Sequence, residues 1–222
     1  MLRALIGSHG TIGSTLLDHM TFDCVFNSNN IKLLCNFEFD QVVVAAPSGN
    51  RLAINRGNTS DVQDVQNIVS AIKTARPTHV VLISSVDAVA NTNSHYGLNR
   101  VMLENSLLQL VPTSIIRLST LIGPRIKKNV LYDIKHNLFL DSIDGGAKTQ
   151  WCLLADLPSI ITQACAGDVC NIVSEPISHN EILARYRSDL HASVETDKIY
   201  YNQQPYYYTR EQIFAAMDDY ML

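Results

Sequence analysis

Short runs rich in β-branched and other apolar residues (Phe22–Phe26, Gln41–Ala46, His79–Ser85 and Thr113–Leu118) alternate along the chain with segments whose apolar residues recur every three or four positions. The runs read as strands and the segments as helices. Their alternation predicts a parallel sheet with crossover helices. One helix is expected from Asp61 to Arg76, with Val62, Val65, Ile68, Val69 and Ile72 on one stripe, a capping box of Ser60 and Gln63, and a stop at Pro77. A second, from about Tyr96 to Gln109, carries Leu98, Val101, Met102 and Leu108 among polar positions. The last third is less regular. It predicts helices at Asn129–Asn137, Asp156–Ala166, His179–Asp189 and Thr209–Met221, a loop over Asp141–Gln150 and a strand at Val169–Val173. That is enough for a small lid, built mainly from residues 123–165 and 174–222, and not for an independent second domain.

The start of the chain is the most specific signal. An apolar strand from Leu2 to Ile6 runs into Gly7, Gly10 and Gly13, and then into a segment with Ile12, Leu16, Leu17 and Met20 on one helical face. Strand, glycine turn and helix in this order are what a dinucleotide-binding fold requires. The glycines permit a tight reversal and close approach of a pyrophosphate, and the helix N-terminus offers unpaired N–H groups to it.

Composition narrows the field. With 222 residues, 46% hydrophobic and 17% charged, the chain can bury one full core with a small appendage. A net charge of −4 argues against general nucleic-acid binding. No apolar run approaches the ~18 to 20 residues of a membrane span, and the apolar start breaks at Gly7, unlike a signal peptide. The five cysteines (Cys24, Cys35, Cys152, Cys165 and Cys170) are scattered, which fits small core residues in a reducing cytoplasm; no metal site is expected.

Candidate chemistry lies between residues 84 and 104. Ser84 and Ser85 end a strand and so reach the C-terminal edge of the sheet, where open α/β folds bind ligands. They point to opposite faces, so one can serve, and Ser85 is the choice. Tyr96 opens a helix whose next turn carries Arg100 on the same side. A tyrosine, whose free pKa is about 10, works as acid or base once a nearby cation lowers it, and Arg100 is placed to be that cation.

These residues resemble those of the short-chain dehydrogenase/reductase superfamily, in its extended branch of sugar-nucleotide epimerases, dehydratases and reductases. Gly7, Gly10 and Gly13 match the glycine spacing of that branch. Ser84-Ser85, Tyr96, Arg100 and Glu104 match its Ser/Thr, Tyr-x-x-x-Lys and following Glu, with arginine in place of lysine. The segments Arg117 to Pro124 and Cys170 to Leu183 are similar to its later strands, so the resemblance covers nearly the whole chain. It implies a Rossmann-type doubly wound parallel sheet with a reduced C-terminal substrate-binding lid. It implies Tyr96 as general acid/base, Ser85 as the hydroxyl on the reacting oxygen, and Arg100 as the cation that holds ribose. Arginine cannot release a proton, so a relay through lysine would be replaced by water. A plainer reading pairs Arg100 with Glu104 on the helix surface.

The cofactor implied is NAD or NADP, held by Gly7, Ser8, His9, Gly10, Thr11, Ile12 and Gly13, with Tyr96 and Arg100 at its far end. The second strand ends in Asn27 and Ser28 without an acid, which favours NADP slightly because a carboxylate there would repel a 2′-phosphate. Ala45, Ala46, Pro47, Ser48 and Gly49 are small enough to form a wall along the cofactor. For the substrate, Arg125, Lys127 and Lys128 with Asn129 could pair with the diphosphate of a nucleotide sugar, and Asp87 and His95 flank the site. The tyrosines at 200, 201, 206, 207 and 208 fit a core or an interface better than a nucleobase platform. The expected partner is thus a small-molecule nucleotide sugar, with no nucleic acid and no membrane; a homodimer is left open. Two other readings stand beside an NAD(P)-dependent enzyme: a catalytically silent dinucleotide-binding or regulatory protein, and a subunit whose pocket a partner chain completes.

Overall fold

The computed structural model describes residues 1–47, 49–192 and 194–222, so Ser48 lies outside the described residues. In chain order the elements are β1 (Arg3–Ile6), α1 (Thr11–His19), β2 (Cys24–Phe26), β3 (Gln41–Val44), α2 (Arg51–Asn55), α3 (Ser60–Ala75), β4 (His79–Ser85), α4 (Asp87–Ala90), α5 (His95–Leu110) and β5 (Thr113–Leu118). There follow β6 (Thr120–Ile122), α6 (Val130–His136), β7 (Lys148–Thr149), β8 (Trp151–Leu153), α7 (Leu157–Gln163), β9 (Val169–Ile172), β10 (Ile177–Ser178), α8 (His179–Tyr186) and α9 (Arg210–Met221). The chain forms two compact units, one from residues 1–117 and 155–170, the other from 118–154 and 171–222.

The first unit is a Rossmann-type, doubly wound sheet of order β2-β1-β3-β4-β5-β9. β1 pairs in parallel with both β2 and β3, and β3 with β4, in the registers Ala4 to Cys24, Ala4 to Val42 and Val42 to Val80. Alternate strand residues Ala4, Ile6, Val42, Val44, Val80, Leu82 and Ile115 form one core with Val65, Ile68 and Ile72 of α3 and Leu103 and Leu107 of α5. The strands are buried on both faces, since the intervening Leu5, Val43 and Val81 have no exposure either. Because the strand order turns back between β1 and β3, the right-handed crossover after β1 places α1 on the face opposite α3 and α5.

Several local expectations change. In α1, Leu16 is buried but Leu17 is 41% exposed: the inward face of this short helix is Gly13, Thr15 and Leu16. The helix from residue 60 is capped differently. Its N-cap is Thr59 without a side-chain bond, and the Ser60 N–H donates to Asn58 Oδ1 at 2.9 Å, so the Ser60–Gln63 capping box does not form. The segment 155–165, expected in the lid, belongs to the first unit, where α7 meets α1 and leads into β9. The expected loop 141–150 contains a short 3₁₀ turn, Leu140–Ser142, and β7.

Helix α5 buries its polar side. Tyr96, Asn99, Arg100 and Glu104 are buried, whereas Leu98, Met102 and Leu108 are 44–48% exposed. Glu104 accepts from Ser84 Oγ at 2.6 Å and from Arg117 Nη2 at 2.6 Å, which ties α5 to β4 and β5.

In the second unit, β6 runs parallel to β8 and β7 antiparallel to β10. Trp151 is fully buried. Helices α8 and α9 both begin with complete capping boxes, Ser178 with Glu181 and Thr209 with Gln212. They are joined by a two-pronged bond of Arg185 to Asp218, at 2.7 Å from Nε and 2.5 Å from Nη2.

Removing one member of a buried ion pair strands the other charge, at a cost of about 3–5 kcal/mol. Glu104→Ala is therefore expected to destabilise the protein by that amount, and urea unfolding would show a midpoint shift. Wild-type stability would mean that Glu104 does not hold Arg117 and Ser84 in solution.

Candidate active site

The glycine turn sits at the point where the strand order turns back. Gly7 leaves β1 with φ +95° and donates its N–H to the Phe26 carbonyl at 2.8 Å. A Cβ there would stand 2.6 Å from the Ala45 carbonyl oxygen, and one on Gly13 would stand 2.1 Å from the Gly7 carbonyl oxygen. Both positions thus need glycine for the fold itself. Gly10 differs. A Cβ on it meets nothing nearer than the Gly7 oxygen at 3.4 Å, an ordinary contact. Gly10 is the N-cap of α1, and no side chain caps that helix. A smooth, Cβ-free approach to uncapped N–H groups at a helix start fits a pyrophosphate, so the residues present suit a dinucleotide.

Around this turn stand the other expected cofactor contacts. Ser8 is buried, its hydroxyl 3.4 Å from the Phe26 carbonyl, while His9 and Thr11 are exposed and Ile12 is half-buried. Asn27 follows β2 directly, accepts from the Asn29 N–H at 2.8 Å and donates its own N–H to Asn30 Oδ1 at 2.7 Å. With the exposed Ser28 it forms a neutral polar rim. Ala45, Ala46 and Pro47 leave β3 against the turn, as the contact of Ala45 with Gly7 requires.

The second cluster lies at the end of β4. Ser84 and Ser85 do point apart: Ser84 serves Glu104, and Ser85 Oγ lies 3.2 Å from Asp87 Oδ2 and close enough to the Tyr96 phenol to favour its ionised form. Tyr96 is fixed by the start of α5. Ser94 caps the helix by accepting from the Gly97 N–H at 3.0 Å, and the Tyr96 N–H donates to Asn55 Oδ1 at 2.9 Å. Gly97 permits this placement, because a Cβ on it would stand 2.2 Å from the Asn91 carbonyl oxygen. Asp87 is buried, accepts from Asn91 Nδ2 at 2.6 Å and pairs with Arg51 at 3.2 Å. Its carboxylate is turned to these groups and to Ser85, where a substrate contact had been expected. His95 is exposed.

Arg100 departs most from expectation. Its guanidinium lies 4.6 Å from the Tyr96 ring centroid, a cation–π contact, and its Nη2 is ion-paired to Asp61 of α3. Asn99 Nδ2 donates to the other Asp61 oxygen at 2.7 Å. Arg100 is only 4% exposed and Asp61 2%. Arg100 is therefore not an open cation at a ribose, and it does not pair with Glu104, which belongs to Arg117. Nor is the Tyr96 phenol lowered. Burial pushes its pKa up, and Asp87 and Asp61 add to this against the opposing effects of Arg100 and the Ser85 hydroxyl. Asp61, Asn55 and Gly97 were not singled out from the sequence. Asp61 had a signal: it lies four residues before Val65 on the buried stripe of α3, where a lone acid demands a partner.

The expected diphosphate ligands belong to the second unit. Asn129 caps α6, accepting from the Tyr132 N–H at 2.8 Å and donating to the Leu121 carbonyl at 2.9 Å, so both ends of its amide serve the fold. Arg125, Lys127 and Lys128 are exposed, and partial desolvation draws the Lys128 ammonium below its ordinary pKa. Of the tyrosines, 201 and 208 are buried in the core of this unit. Among the described residues, no three His, Cys, Asp or Glu side chains gather to hold a metal ion. Among them, too, no helix is long and apolar enough to cross a membrane.

A glycine turn at the switch point of a doubly wound sheet, with Ser85 at the end of β4 and Tyr96 at the start of α5, defines a Rossmann-type fold. Solved structures agree on the fold. The chain is similar to the UDP-glucose 4-epimerase of Thermotoga maritima crystallised with UDP-glucose, at 13% identity and TM-score 0.72 over 89% of this chain and 86% of that one. It is similar to the dTDP-4-dehydrorhamnose reductase of Yersinia enterocolitica, at 13% identity and TM-score 0.72 over 100% and 99%. The enzyme WbmG of Bordetella bronchiseptica, in complex with NAD, gives 16% identity and TM-score 0.68 over 99% and 88%. The first two are an epimerase and a reductase, and at such identities the likeness speaks to fold alone. No family model and no curated protein matches the sequence.

The turn yields a contrast in stability. Gly13→Ala drives a methyl into the Gly7 backbone and should cost about 1–3 kcal/mol or more. Gly10→Ala should stay within about 1 kcal/mol of wild type, since the space is open. Thermal and urea unfolding compare the two, and equal losses would remove the distinction drawn between these glycines.

Proposed function

We propose that the chain is an NAD(P)-dependent epimerase, reductase or dehydratase acting on a nucleotide-activated sugar, with Tyr96 as general acid/base. The observation that carries this reading is the meeting of Ser85 with the buried Tyr96 at the C-terminal end of β4, in the same unit as a glycine turn open to a pyrophosphate. A nicotinamide held there would accept or return hydride. Ser85 would hydrogen-bond the reacting oxygen and Tyr96 would move its proton. Arg100 would orient the Tyr96 ring from beneath. Arg125 and Lys128 remain candidates for the diphosphate of the sugar nucleotide, and Asn129 would act on them only by shaping the start of α6. Neighbours of this fold are bound to NAD, UDP-glucose or UDP. That supports the ligand class for this chain.

The deciding experiment is hydride exchange between NAD(P) and a panel of nucleotide sugars, in wild type and Tyr96→Phe. Turnover should fall by roughly 10²- to 10⁴-fold in the variant with dinucleotide affinity nearly unchanged. A wild type that binds NAD(P) but exchanges no hydride, with Tyr96→Phe indistinguishable from it, would leave a silent dinucleotide-binding protein. The neutral rim at Asn27 and Ser28 favours NADP slightly. Asn27→Asp should raise NAD affinity relative to NADP in calorimetry, and an unmoved ratio of dissociation constants would detach Asn27 from the ribose.

A further inference from the structure

The Tyr96 ring faces charged or hydrogen-bonding groups from four elements besides the backbone contact of Asn55. α5 contributes Arg100, α3 contributes Asp61 with Asp64 nearby, α4 contributes Asp87, and β4 contributes Ser85. Arg51 of α2 reaches the set through Asp87. The charges group into two ion pairs, Arg100 with Asp61 and Arg51 with Asp87. Each cation near the phenol is thus matched by a carboxylate, and the Arg100–Asp61 pair is buried almost completely. Arginine stays charged at every pH at which the protein folds, and it gives up no proton. Its effect on Tyr96 is therefore moderated by its counter-ion, which opposes it in part.

We infer that Asp61 is a positioning residue that fixes Arg100 beneath the Tyr96 ring and offsets part of its charge there, so that Tyr96 enters the reaction as a proton donor. The inference rests on the reading of Tyr96 as the acid/base, and it gives the site a favoured direction, reduction of a carbonyl. In that step the ketone carbon gains hydride from reduced nicotinamide, the C=O π pair moves to oxygen, and that oxygen takes the phenol proton. The tyrosinate left behind is reprotonated from water. The opposite direction, oxidation of an alcohol, needs tyrosinate at the outset. Burial keeps that form scarce at neutral pH, with the phenol pKa above its ordinary value.

The test reads Tyr96 itself, without substrate. Tyrosinate absorbance is titrated in the full chain, and the Tyr96 contribution is isolated by subtracting the matching Tyr96→Phe protein. Asp61→Asn leaves Arg100 uncompensated, and the Tyr96 midpoint should fall by about one pH unit or more, as an unshielded opposite charge 4–6 Å away produces. The double variant Asp61→Asn with Arg100→Gln removes both charges and guards against misfolding caused by a stranded guanidinium. Its midpoint should lie clearly above that of Asp61→Asn. In wild type, reduction of a keto sugar should hold level from neutral pH up to the midpoint, while oxidation of the corresponding alcohol should climb tenfold per pH unit to the same point.

An unmoved midpoint in folded Asp61→Asn overturns the inference, as does a double variant whose midpoint falls as far as that of Asp61→Asn, because the shift would then not come from Arg100. Oxidation that levels off near neutral pH overturns it too. If the midpoints move as expected and no sugar nucleotide is turned over, the role of Asp61 stands and the proposed reaction falls. Turnover with unmoved midpoints has the opposite meaning.

Discussion

Burial of the polar side of α5 is the constraint from which the rest of the first unit follows. A guanidinium or a carboxylate taken out of water is tolerated only against an opposite charge with its hydrogen bonds filled. Arg100 therefore requires Asp61, which fixes α3 against α5, and Glu104 requires Arg117 and Ser84, which fixes α5 to β4 and β5. Tyr96 is held between these anchors. Its position is a result of charge matching as much as of apolar packing, whereas its reluctance to ionise comes first from burial.

The glycine turn obeys a different rule, that of space. Two of its glycines are demanded by backbone atoms at 2.1 and 2.6 Å, and the third is not demanded by the protein at all. The distinction gives a physical meaning to a motif that spacing alone leaves ambiguous. Gly7 and Gly13 explain how β1, β3 and α1 come together, and Gly10 accounts for what the turn can receive.

Much of this was legible from residue order. His79–Ser85 and Thr113–Leu118 form strands with the expected limits, because their β-branched runs are continuous and buried on both faces. Val65, Ile68 and Ile72 give the buried stripe of α3 as their period requires. The end of β2 at Asn27 and the opposed directions of Ser84 and Ser85 also follow from local pattern. What was not legible depends on partners far away in sequence. Asp61 lies 39 residues from Arg100, and only the packing of α3 on α5 makes them neighbours. The same holds for Glu104, which local spacing offers to Arg100 and the sheet gives to Arg117. Helix periodicity misleads in α5, where apolar Leu98, Met102 and Leu108 lie on the outer side and the inner side is paid for by ion pairs.

The edge of the sheet carries a last consequence. β2 is three residues long and has one strand beside it, β1, so its outer row of N–H and C=O groups is a potential template for another chain. Its shortness limits that row to a single pleat, and Asn27, Asn29 and Asn30 then turn the backbone aside through amide-to-backbone bonds of 2.7–3.4 Å. The asparagines that leave the rim without charge thereby also end the ribbon. A substitution that straightened residues 27–30 into a longer strand would expose a continuous edge, and the penalty would fall on colloidal behaviour, as sheet-to-sheet aggregation, before it fell on folding stability.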